Sequence, residues 1–86
     1  MQYILSKRFE KDFAKLPKPV KKKVLEILQT VVDDPLDPSL RNNRLSGKWH
    51  NHYSIDVTGD VRAVYVFIKN DIVHFVAVGS HSELYG

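Results

Sequence analysis

The chain has 86 residues, of which 43% are hydrophobic and 27% charged, with a net charge of +3 and no cysteine. These values speak for a folded domain rather than disorder, and they exclude a disulfide framework or a cysteine-based zinc site. A single domain over residues 1–86 is expected, with a thin core, because small domains bury only about 60–65% of their unfolded surface. No apolar run approaches the ~20 residues needed to cross a bilayer, and Met1–Glu10 lacks the layout of a signal peptide, so a cytoplasmic protein with no membrane partner is expected.

Gln2–Leu5 reads as a short strand. Ser6 offers a helix cap, and Phe9, Phe13 and Leu16 recur at near-helical spacing over Lys7–Leu16. Pro17 and Pro19 end that helix, and the stripe Val20, Val24, Ile27, Leu28, Val31 and Val32 predicts a second one over Val20–Asp34. The two form an antiparallel hairpin. Pro35–Gly47 has no clear period and reads as a long loop. Three strand-like runs follow, Lys48–Val57, Val61–Lys69 and Ile72–Val78, with Thr58-Gly59-Asp60 and Asn70-Asp71 supplying the turns. The expected fold is α+β: an N-terminal strand, a helical hairpin, then a three-stranded antiparallel meander, giving a four-stranded sheet with the helices on one face.

Alternation sorts the strand side chains. It places Trp49, Asn51, Tyr53, Ile55 and Val57 on one face and His50, His52, Ser54 and Asp56 on the other. The next strand is apolar on both faces, as a central strand should be, except for Arg62 at its entrance. An arginine there wants a carboxylate or a phosphate.

The charge is uneven. Residues 1–24 carry Lys7, Arg8, Lys11, Lys15, Lys18, Lys21, Lys22 and Lys23 against only Glu10 and Asp12. An excess of six positive charges attracts polyanions, of which nucleic acid is the commonest, although the same run also serves as a solvated helix face.

Without cysteine or a G-x-S-x-G elbow, covalent acyl chemistry has no support, and no phosphate-binding glycine loop is present. An i, i+2 pair on a strand, His50-x-His52, points both imidazoles the same way, and Asp56 or His81 would complete a zinc or iron site. Two polar residues on a solvent face is the plainer reading, and no metal or cofactor is expected. The other use of these groups is proton transfer at a phosphodiester. RNA carries its own nucleophile in the 2′-hydroxyl, so cleavage needs only a base, an acid and a cation for the developing charge. His81, Asp60 and Arg62 meet those needs without metal.

Three runs carry a resemblance: Leu45-Ser46-Gly47-Lys48-Trp49; Tyr53 to Tyr65, with its Gly59-Asp60-Val61-Arg62 core; and Gly79-Ser80-His81-Ser82-Glu83-Leu84-Tyr85. Together with Ser6-Lys7-Arg8-Phe9 and Leu16-Pro17, they resemble the RelE/ParE superfamily along essentially the whole chain, and its YafQ-type branch most. The C-terminal Gly-Ser-His-x-x-Leu-aromatic segment is the most specific piece. The resemblance implies a ribosome-dependent, metal-independent mRNA endonuclease, with a cognate antitoxin as partner, in a heterotetramer, and the ribosome (16S ribosomal RNA) and mRNA as targets. It implies His81 as general acid, Asp60 as base or as the group orienting His81, Arg62 on the scissile phosphate, and Tyr85 stacking on a base. Arg44, His50, His52, Lys21, Lys22 and Lys23 become RNA contacts. YafQ-type relatives often have a histidine where this chain has Asn43, which cannot transfer a proton. Where relatives have one in the first meander strand, this chain has Asp56, a further candidate base. The alternatives within reach of the resemblance are gyrase poisoning of the ParE kind and a non-catalytic RNA- or ribosome-binding module.

Overall fold

The structure, a computed structural model, describes residues 1–85. In chain order the elements are β1 (Gln2–Leu5), α1 (Lys7–Ala14), α2 (Lys18–Asp33), β2 (Asn43–Arg44), β3 (Tyr53–Asp56), β4 (Val61–Lys69), β5 (Ile72–Ser80) and α3 (His81–Tyr85). Short 3-10 turns occupy Pro38–Leu40 and Gly47–Trp49.

The Ser6 hydroxyl accepts the Phe9 N–H at 3.0 Å and donates to the Val76 carbonyl at 2.9 Å, so one side chain both caps α1 and ties it to β5. Asp12 adds a second tie by accepting the Val78 N–H at 3.2 Å. The second helix starts at Lys18, two residues earlier than its apolar stripe suggests. Pro19 lies in its first turn, where a missing amide hydrogen costs nothing, so the proline opens the helix rather than preceding it. Val24, Ile27, Leu28 and Val31 are its buried face.

Five strands, not four, make the sheet, in the order β1-β5-β4-β3-β2. The meander β3–β4–β5 is antiparallel, β1 adds parallel to β5, and β2 is a two-residue edge strand paired to β3. That extra strand comes from the segment read as loop. It is too short to show a period, and its pairing (Asn43 with Ser54, Arg44 with Tyr53) exists only once β3 is in place.

The main core lies between the helices and one sheet face: Phe9, Val24, Leu28, Val31 and Leu40 against Ile55, Ala63, Tyr65, Val73 and Phe75. The opposite face has a smaller cluster of Val64, Ala77 and Leu84, with Leu45, Trp49 and Tyr85 packed on it. The helical hairpin α1–α2 thus covers one face as expected, and α3, a helix the sequence did not reveal, lies on the other. Trp49 also changes sides, because alternation does not run back from Tyr53. Residues 47–49 form the 3-10 turn, and Gly47 and Asn51 both sit at positive φ, 66° and 68°, so the strand begins at Tyr53 rather than Lys48.

An irregularity in β5 sets the face on which the C-terminal helix lands. Tyr65 pairs with Phe75 but Val64 pairs with Ala77, leaving Val76 as an extra residue opposite the pair. Such a bulge shifts the phase of the strand. Phe75 before it and Val78 after it both reach the helix-side core, while Ala77 joins the other face and Gly79 pairs with Arg62.

Candidate active-site pocket

With the phase so set, β5 delivers α3 onto the face that carries Arg62. Ser80 and Glu83 start this helix reciprocally: Glu83 Oε1 accepts the Ser80 N–H at 2.8 Å, and Ser80 Oγ accepts the Glu83 N–H at 3.3 Å. The Ser80 N–H, then the Ser80 hydroxyl, hold the Glu83 carboxyl below its ordinary value, with Lys15 assisting. Gly79 makes room for this return. A Cβ there would lie 3.1 Å from Glu83 Oε1. At the other end, the Trp49 indole N–H donates to the Leu84 carbonyl at 3.0 Å, fastening the last turn of α3 to the sheet.

The product is an open depression of about 350 Å³ lined by Asn43, Leu45, Ser46, Trp49, Ser54, Arg62, His81 and Tyr85. His81 is exposed at its mouth, one helical turn before Tyr85, and the two rings meet edge-on with centroids 4.7 Å apart. The Tyr85 hydroxyl is buried and lacks a hydrogen-bond partner among the described residues. Ser54 is 3% exposed, the one polar or charged residue in the buried set among the described residues. Among the described residues no carboxylate side chain lines this pocket. Arg62 is held from the side by Asp56, whose Oδ1 lies 3.3 Å from Arg62 Nε. Such a lining can position a phosphodiester against a cation, donate a proton to it and stack an aromatic ring beside it.

Three of the sequence candidates, His81, Arg62 and Tyr85, are thus brought together. The remaining ones lie elsewhere. Asp60 is exposed in the β3–β4 turn, where its N–H faces Thr58 Oγ1 at 3.3 Å. Asp56 lines a different depression, with Lys23, Arg41 and Thr58. Arg44 faces the helix side of the edge strand beside Leu36, Tyr53, Tyr65 and Phe67. His50 is exposed in the turn after Trp49, while His52 packs edge-on against Trp49 at 5.4 Å with its Nδ1 3.0 Å from the His50 carbonyl. Because neither is on a strand, the i, i+2 argument for a shared metal loses its premise. Among the described residues no three His, Cys, Asp or Glu side chains come together as a ligand set. On α2, Lys22 and Lys23 are exposed, whereas the Lys21 ammonium lies 5.8 Å from the centre of the Phe13 ring.

Sequence reasoning missed Ser54 and Trp49 as pocket residues. Ser54 was visible as a small polar member of the face shared with Asp56. For Trp49 the signal was Gly47, whose positive φ breaks the strand.

A helical hairpin on a five-stranded sheet, with a histidine–arginine–aromatic pocket at its C-terminal end, places the chain in a class that similarity defines further. The family described as bacterial toxins of type II toxin–antitoxin systems, YafQ, matches residues 1–86, so the chain belongs to the YafQ toxin family. Among solved structures, YafQ from E. coli superposes with a TM-score of 0.84 at 20% identity, covering 98% of this chain and 97% of that one. A copper-bound mutant toxin from Helicobacter pylori is 32% identical over 99% of each chain, with a TM-score of 0.75. E. coli YafQ in complex with DinJ matches at a TM-score of 0.81 and 20% identity, covering 98% and 96%. No match is found among curated proteins.

Proposed function

We propose that the protein is a ribosome-dependent, metal-independent mRNA endonuclease, the toxin of a type II toxin–antitoxin pair. The observation that carries this reading is the convergence of His81, Arg62 and Tyr85 on one polar pocket. In the proposed reaction the 2′-hydroxyl oxygen attacks the adjacent phosphorus while the bond to the 5′-oxygen breaks. The products are a 2′,3′-cyclic phosphate and a 5′-hydroxyl. His81 donates the proton that the departing 5′-oxygen takes up, Arg62 balances the charge building on the phosphoryl oxygens, and Tyr85 contacts the neighbouring base. The proton of the 2′-hydroxyl leaves to solvent through the open pocket.

A cognate antitoxin is the proposed protein partner. E. coli YafQ occurs in complex with DinJ, and YoeB from Staphylococcus aureus in a heterotetramer with YefM, which supports a heterotetrameric pair here. Lys22 and Lys23, exposed on α2, are proposed contacts to ribosomal RNA, with a salt dependence that tracks the number of phosphates neutralised.

Primer extension on a message translated in vitro tests the reading. Discrete cuts on ribosomes that persist in EDTA are expected. Absence of cutting would remove the nuclease, loss in EDTA would restore a metal, and inhibition of gyrase supercoiling without cutting would favour the ParE-like activity.

A further inference from the structure

Asp56 is a carboxylate on β3 paired with Arg62, and the simplest reading makes it a base for the reaction. Its surroundings argue otherwise. A base must lie within hydrogen-bond reach of the proton it takes, directly or through one water. Asp56 is absent from the lining of the His81 pocket and opens instead into the depression shared with Lys23 and Arg41. Each carboxylate oxygen faces a guanidinium: Oδ1 lies 3.3 Å from Arg62 Nε and Oδ2 lies 3.7 Å from Arg41 Nη1. The two arginines are not equivalent. Arg62 pairs with Asp56 directly across the β3–β4 ladder, and both side chains are roughly three-quarters buried, at 28% and 26% exposure. Arg41 is 78% exposed and comes from a loop residue at φ 50°.

We propose that Asp56 is a positioning residue, which grips Arg62 through Nε and leaves the terminal guanidinium nitrogens in the His81 pocket for the RNA phosphate. The inference rests on the nuclease reading for its substrate. Three facts join to support it. The contact to Asp56 is made through Nε. Arg62 lines the pocket that Asp56 does not. That ion pair is the guanidinium contact recorded among the described residues, and it leaves the two terminal nitrogens free for a phosphate. An arginine binds phosphate through parallel N–H donors in a fixed plane, so a carboxylate that sets this plane acts on catalysis without touching substrate. In this chain the carboxylate thereby fits position 56 to an arginine at position 62. Arg41 shields the second oxygen.

The test is a double-mutant cycle in ribosome-dependent cleavage, with unfolding midpoints to confirm that the variants fold. Misplacing a substrate-orienting group costs up to about a hundredfold, so Asp56→Ala is expected to lose roughly 10- to 100-fold in kcat/KM. Asp56→Ala added to Arg62→Ala is expected to lose nothing further, because Asp56 acts only through Arg62. Asp56→Asn keeps an acceptor for Nε and should stay within about fivefold of wild type, with an unaltered pH profile. Losses that multiply in the double variant, or an Asp56→Asn variant as poor as Asp56→Ala and lacking one limb of the profile, would overturn the proposal. A second readout is independent of activity: the ¹⁵N order of the Arg62 Nε–H in the free protein. It should be high in wild type and Asp56→Asn and fall in Asp56→Ala. If wild type cleaves nothing, the nuclease reading fails. The Nε–H measurement then decides the positioning claim alone, and an Arg62 equally ordered in all three proteins overturns it.

Discussion

The two faces of the sheet are built differently. The helix-side face is covered by α1 and α2 and closed by a run of ring contacts, Phe9 on Phe75, Phe75 on Tyr65 and Tyr65 on Tyr53, with centroids 5.6–5.8 Å apart. Among the described residues the apolar cluster buried on the opposite face is Val64, Ala77 and Leu84, and its cover, α3, is five residues long. So short a helix is not stable by itself. It persists because Ser80 and Glu83 cap one end, Leu84 is buried, and Trp49 holds the other. The contrast teaches a division of labour: one face supplies stability, and the other spends little apolar area and keeps polar groups accessible.

Substitutions should separate the two faces, and the helix-side core should give the largest effects. Phe75→Ala removes the ring shared by Phe9, Tyr3 and Tyr65 and should cost about 3–5 kcal/mol in urea unfolding, taking function with it. On the pocket side, Trp49→Phe deletes the hydrogen bond to Leu84 and should cost about 1 kcal/mol globally. Its larger consequence is local: amide exchange at Leu84 and Tyr85 should quicken while Phe75 stays protected. Equal changes at both sites would deny that the faces are independent.

Acid sharpens the contrast further. The Glu83 carboxyl is depressed below 4.5 in the folded protein, so its contribution is complete above pH 4.5 and lost as pH falls through the lower folded-state value. Trp49 is the only tryptophan, so its fluorescence reports the docking of α3. It should change below pH 4.5 in wild type, and Glu83→Gln should lack that component. The smallest effect is expected at the exposed Lys22. Lys22→Ala should leave stability within about 0.5 kcal/mol and lower the salt slope of ribosome binding by about one.

The same division governs how much of the molecule was legible in its sequence. Stripes on α1 and α2 and alternation along β4 identified the helix-side core, because burial there obeys the helix and strand periods. The pocket face obeys neither. Gly47 and Asn51 reverse Trp49, the Val76 bulge resets β5, and the edge strand Asn43–Arg44 is two residues long. The Ser80-x-x-Glu83 cap was present in the chain but belongs to a helix too short to show a period. Arg62 was legible as the one charged entrant to an apolar central strand and His81 as a proton donor for RNA, whereas Tyr85 was legible only through its resemblance to relatives. The pairing of Asp56 with Arg62 arises from a strand register, and Arg44 and Asp60 differ from their expected places because neighbours in sequence alternate faces or stay in turns.

The central claim is that the pocket face carries the chemistry without carrying the stability. The most direct measurement is the cleavage rate of His81→Ala on programmed ribosomes, taken together with its thermal midpoint. The rate should fall by about 10²–10⁴-fold, with the midpoint within about 2 °C of wild type because His81 is exposed. A variant that cuts as fast as wild type, or one whose loss of cutting is matched by loss of fold, would contradict the account.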